Sequence, residues 1–96
     1  MTQKEREKLI SELLAKCKKL RYTKGIEYSN SVDVNANFKS DLEIGVNEVQ
    51  SCLVFANKHW RSIRHWARGG DTSEPIEGRI TDLINYLLIL YSFLKK

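Results

Sequence analysis

EPIEGRITDLINYLLILYSF, Glu74 to Phe93, is the stretch on which the reading of the fold turns. In and just beyond it, Ile76, Ile80, Leu83, Leu87, Leu90 and Leu94 recur at helical steps and predict an amphipathic helix with an apolar core face. Arg79, Asp82 and Tyr86 keep the same steps along its flank, and Asn85 lies beside Asp82. Thr72 or Ser73 is placed to cap this helix, with Pro75 in its first turn, where a missing amide hydrogen costs nothing. An exposed Arg79–Asp82 pair at the core's edge contributes little to stability. The same acid, guanidinium, amide and phenol also suit a different task, orienting a ribose, a base edge and a phosphate.

The preceding segment has the same period. Asn47 and Gln50 form a capping-box pattern for a helix over 48–68, which Gly69 and Gly70 stop. Its core stripe reads Val49, Cys52, Leu53, Ala56, Trp60, Ile63 and Ala67, with Phe55, His59, Ser62 and Trp66 as a second stripe beside it. Phe55 and Trp66 fit a wider core or a subunit contact, and equally a wall on which a flat base stacks. His59 alone reads as hydrogen-bonded structure more readily than as a ligand. Lys58, Arg61, His65 and Arg68 make the outward face, which is either simply solvated or a phosphate-binding surface.

An N-terminal helix is expected over about residues 3–20, from the stripe Leu9, Ile10, Leu13, Leu14, Cys17 and Leu20. RYTKGIEYSNSVD, residues 21–33, breaks that pattern with Gly25 and Asn30 and reads as a loop. Within it Lys24 offers a cation, Glu27 an acceptor and Tyr28 a ring. Asp33 is placed to cap a short helix, VNANFKSDLEI, that Gly45 ends. Its Asn35, Asn37 and Lys39 suit base-edge and phosphate contacts, although capping explains the asparagines as well. No segment alternates with period two, so the expected fold is all-α: one domain over 1–96, a small bundle of three long helices and one short one.

Ninety-six residues lie near the lower limit for a self-sufficient core, which favours oligomerisation. A hydrophobic fraction of 42% is that of a globular chain. The net charge of +4, from 16 basic and 12 acidic residues, favours anionic partners but is too mild and too evenly mixed to point to nucleic acid. The start, MTQKEREK, is charged where a signal peptide is apolar, and YLLILYSFL is too short to span a bilayer. With two cysteines, no CxxC and no zinc-type spacing, the expectation is a reduced, cytoplasmic protein that holds no metal.

KGIEYSNS, NANFK, KHWRSI and EPIEGRITDLINYLLIL together resemble small phage-encoded α-helical proteins near the nucleotide-modification-associated and MazG-like groups. The resemblance covers about residues 21–94, and EPIEGRITDLINYL is its most specific part. MazG-like enzymes are all-α pyrophosphohydrolases whose clustered acids hold magnesium, including an acid pair three residues apart on a helix. Asp82 resembles the end of that motif, but Arg79 stands where its glutamate is expected, and Glu27 is a lone acid in place of the first acidic motif. A guanidinium in place of a ligand carboxylate repels the metal and attracts phosphate directly.

The resemblance therefore implies a protein that binds a nucleotide without cutting it and needs no cofactor. The expected role is a phage anti-defence sponge, acting in an infected bacterial host on a signal such as a CBASS cyclic dinucleotide. The expected ligand-binding residues are Lys24, Tyr28, Asn37, Lys39, Lys58, His59, Trp66, Arg79, Asp82, Asn85 and Tyr86, with homo-oligomer subunits enclosing the ligand. The alternative is a magnesium-dependent pyrophosphohydrolase using Glu27, Glu74, Glu77 and Asp82.

Overall fold

The computed structural model describes residues 1–28 and 47–95, with the backbone alone for residues 25–28. The short helix expected over 34–44, with Asn37 and Lys39, lies outside the described residues, as does the Tyr28 side chain. All secondary structure among the described residues is helical: α1 (Gln3–Tyr28), α2 (Glu48–Ala67) and α3 (Ile76–Phe93). No described helix is long and apolar enough to cross a membrane.

Local chemistry explains most of the helix ends. At α1, the Thr2 hydroxyl accepts from the Glu5 amide at 3.1 Å, and the Glu5 carboxylate accepts from the Thr2 amide at 3.3 Å. At α2 the expected capping box is formed: Asn47 Oδ1 accepts from the Gln50 amide at 2.8 Å, and Gln50 Oε1 accepts from the Asn47 amide at 3.1 Å. Gly69, at φ 89°, ends α2 in a conformation that other residues rarely adopt. Gly70 then lets the His65 ring lie directly on the backbone, where a Cβ would collide with it.

Two boundaries differ from the sequence reading. α1 continues through Arg21–Tyr28, which the glycine and polar residues marked as loop. A single helical glycine costs only about 1 kcal/mol, and tertiary contacts of Arg21 and Lys24 hold this last stretch against α3. α3 begins after Pro75, whose carbonyl accepts from the Gly78 and Arg79 amides, so Pro75 precedes the first turn. Neither Thr72 nor Ser73 caps the helix. The Thr72 hydroxyl donates to the Glu74 carbonyl, and the Ser73 hydroxyl accepts from the Arg79 side chain.

The contacts fix the topology. Cys52 meets the Tyr86 carbonyl while His59 meets Arg79, so α2 and α3 run antiparallel. Lys16–Glu77, Cys17–Thr81 and Arg21–Asn85 advance together, so α1 lies parallel to α3. The buried apolar residues are Cys17, Cys52 and Ala56; the buried polar ones are Ser51, His59, Arg79, Thr81 and Asn85. The interior of the described unit is thus small and largely polar.

This reverses part of the expected core. Leu87 is 50% exposed, Leu94 74% and Trp60 49%, and Leu9, Ile10, Leu14, Val49 and Leu53 are also exposed. On α2 the inward side combines Cys52 and Ala56 of the expected core stripe with His59 of the second, while Val49, Leu53 and Trp60, and also Phe55 and Trp66, are exposed. α3 likewise buries its Arg79–Asn85 side. The Asn47→Ala variant should lose about 1 kcal/mol of unfolding free energy in urea melts, by removing the box that starts α2. An unchanged midpoint would show that the cap contributes nothing.

Candidate functional site

The inward polar side of α3 meets α2 around Arg79, which is only 6% exposed. One guanidinium nitrogen lies 3.3 Å from His59 Nδ1 and another 3.4 Å from the Ser73 hydroxyl. Arg79 Nε stands 3.8 Å from the Glu74 carboxylate, beyond hydrogen-bond reach, and is buried without a hydrogen-bond partner. A guanidinium only donates, so His59 Nδ1 must present its lone pair. The imidazole is then neutral, with its proton on Nε2, 3.8 Å from Asp82 Oδ2.

Electrostatics agrees with that assignment. Burial pushes the His59 pKa below its ordinary value of 6.5, Asp82 pulls it the other way, and Arg79 and Lys58 lower it further. Tyr86 stacks on His59 at 5.5 Å and on Phe55 at 5.6 Å between ring centroids, which clamps the imidazole plane. On the other side of α3, Lys24 Nζ lies 3.5 Å from Asp82 Oδ1, and Arg21 donates to Asn85 Oδ1 at 2.9 Å.

Outside this cluster an open groove of about 620 Å³ runs along α2 and the loop before α3. It is lined by Lys58, Arg61, His65 and Arg79, with the hydroxyls of Ser62, Thr72 and Ser73 and one acid, Asp71. Three fixed cations against one carboxylate make it an anion-attracting surface.

The structure therefore divides the predicted residues. Lys58 and Arg79 share the groove. His59, Arg79, Asp82 and Tyr86 form the buried cluster, with Lys24 at its edge. Asn85 is turned to α1 and held by Arg21. Trp66 is 48% exposed and does not line the groove. The carboxylate that Arg79 approaches is that of Glu74, not Asp82 as the helical spacing predicts, because Asp82 is drawn to Lys24 and His59.

Arg21 is not singled out by the sequence reading, and Ser73 is read there only as a candidate helix cap. The signal for Arg21 was present, since Cys17, Arg21 and Lys24 continue the stripe of α1 at the same spacing with cations replacing apolar residues. Ser73 carried none. Of the acids of the alternative reading, the Glu27 side chain lies outside the described residues, and the other three do not converge. Glu77 is paired with Lys16 at 2.9 Å, Glu74 faces Arg79 and Asp82 faces Lys24. Among the described residues no three His, Cys, Asp or Glu side chains stand together as a metal site.

No known protein family, curated protein or solved structure matches this chain.

Unfolded, His59 takes up its proton near 6.5; folded, only at lower pH. The stability that rests on the neutral ring is whole above 6.5 and is lost as the pH falls toward the folded value. Thermal midpoints should therefore drop as the pH falls below 6.5, and the drop should be smaller in His59→Gln. Equal slopes for the two proteins would remove His59 from the account.

Proposed function

We propose that this protein binds a phosphate-bearing small molecule of the nucleotide class in the groove along α2 and holds it uncleaved, working as a homo-oligomer. The observation that carries the reading is Arg79: a buried guanidinium at the groove wall whose Nε has no hydrogen-bond partner. A buried N–H without an acceptor costs about 1–3 kcal/mol, and a phosphate oxygen is an acceptor suited to a planar guanidinium. Lys58 and Arg61 add charge that reaches outward, and Ser62 and Thr72 add hydroxyl donors. The volume of about 620 Å³ lies within the usual range for small-ligand sites.

The placement of three of the acids supports holding without cutting. Glu74, Glu77 and Asp82 each stand beside a cation, and that pairing opposes capture of a divalent ion. A cyclic dinucleotide immune signal, sequestered by a phage protein, is the ligand and role that the resemblance to MazG-like groups adds to this reading.

Calorimetric titration with inorganic pyrophosphate and with a cyclic dinucleotide, both without magnesium, tests the proposal. Saturable binding is expected, weakened at least tenfold by the double substitution Lys58→Ala, Arg61→Ala, with helix content and melting unchanged because both side chains are exposed. Unaltered affinity in that variant would move the site elsewhere. Release of pyrophosphate from a nucleoside triphosphate in the presence of magnesium would replace the binding reading with the hydrolase.

A further inference from the structure

We infer that capture of an anion in the groove draws a proton from solvent onto His59, so that the site holds its ligand more tightly as the pH falls below neutral. This rests on the groove reading proposed above and adds the regulation of that site.

The coupling passes through one side chain. Arg79 lines the groove and also meets His59, which is buried and is not part of the groove wall. A guanidinium has no lone pair, so the 3.3 Å contact between them requires an unprotonated Nδ1. A proton arriving on His59 goes to that nitrogen, because Nε2 carries the ring's other one. The acceptor then becomes a donor, and the contact becomes a meeting of two cations. The N–H that Arg79 loses there needs another acceptor, and an anion oxygen in the groove supplies one.

Charge acts in the same direction. His59 faces Lys58 on its own helix, Arg79, Asp82 and the Tyr86 ring from α3, and Glu74 from the loop before α3. Lys24 of α1 holds the other oxygen of the Asp82 carboxylate. Three cations thus stand against two carboxylates, and a proton on the imidazole adds to that excess. Burial opposes the imidazolium as well, which is why His59 takes its proton only below the ordinary 6.5. An anion between Lys58 and Arg79 offsets the excess and favours the imidazolium. The effect is reciprocal: if the bound anion favours the proton, the bound proton favours the anion to the same degree. Binding therefore raises the pH at which His59 is protonated, and affinity climbs as the pH falls through that window, by at most tenfold per pH unit for one proton per site.

Isothermal calorimetry on the full chain, repeated in two buffers of unlike ionisation heat, counts the protons taken up per ligand. The probes are inorganic sulfate and a cyclic dinucleotide, both without magnesium, because neither changes charge across neutral pH as pyrophosphate does. Uptake should be close to zero at about pH 8 and rise toward one proton per site at about pH 6, with affinity rising in step. The chain has two imidazoles, and the other, His65, lines the groove. His65→Gln should keep the uptake, and adding His59→Gln should abolish it together with the pH dependence of affinity. If the double variant fails to fold, proton NMR of His65→Gln decides, since its one imidazole should titrate at higher pH with sulfate than without. An unmoved midpoint there, or uptake that vanishes in His65→Gln alone, overturns the inference. So does an affinity that the second substitution weakens equally at every pH with uptake retained, which would make His59 structural only. Binding without proton uptake overturns the coupling and leaves the groove standing; no binding of either probe at any of these pH values overturns both.

Discussion

A guanidinium enclosed between two helices governs this structure. Arg79 cannot give up its proton, so its burial demands acceptors, and α2 supplies one in His59 Nδ1. That single contact fixes the imidazole as neutral, directs its N–H toward Asp82 and sets which side of α2 faces α3. Lys24 then balances Asp82 from α1, so one chain of polar contacts ties all three described helices together. Removing any member would strand a charge in a partly dry interior, which is costlier than losing an exposed pair.

The consequence is an interior unlike that of an ordinary small bundle. Where α2 and α3 meet, the buried side chains are small, Cys52 and Ala56, or polar, and Tyr86 is sandwiched against His59 and Phe55. Both buried thiols are raised in pKa by burial, Cys17 and Cys52 alike, and they donate to carbonyls of α3 instead of pairing with each other. Such an interior gains less from the hydrophobic effect than the composition allows, about 25 cal/mol per Å² of apolar area removed from water. The larger leucines and the tryptophans have their area in the outward faces. Charge and hydroxyls line the groove side of the hairpin, and Leu53, Trp60 and Leu87 are exposed elsewhere on it.

Much of the fold was legible locally, because the signals involved act over a few residues. The capping box of Asn47 and Gln50, the stop at Gly69 and the helical period of α2 and α3 are short-range chemistry. Gly25 misled because its cost as a helix residue is small beside the anchoring of Arg21 and Lys24 on α3, a contact about sixty positions away in the chain. Thr72 and Ser73 misled because capping residues are recognised by type, and here their hydroxyls serve the loop and Arg79 instead. For the site, the proximity of Arg79, Asp82 and Tyr86 could be read from spacing. Their partners could not, since Glu74 and Asp82 are both within one turn or so of Arg79 and only the folded loop brings Glu74 to it.

The sequence by itself determined that this chain is helical, where α2 begins and ends, and that each helix has an apolar stripe beside a polar one. Tertiary structure alone decided which stripe turns inward. Periodicity reports that two faces differ; it carries no information on what each will meet. That choice was made by the needs of a buried cation. Arg79 meets His59 across the hairpin and the polar flank of α3 is inside, while Leu53, Leu87 and Leu94, which pattern alone assigned to the core, are exposed.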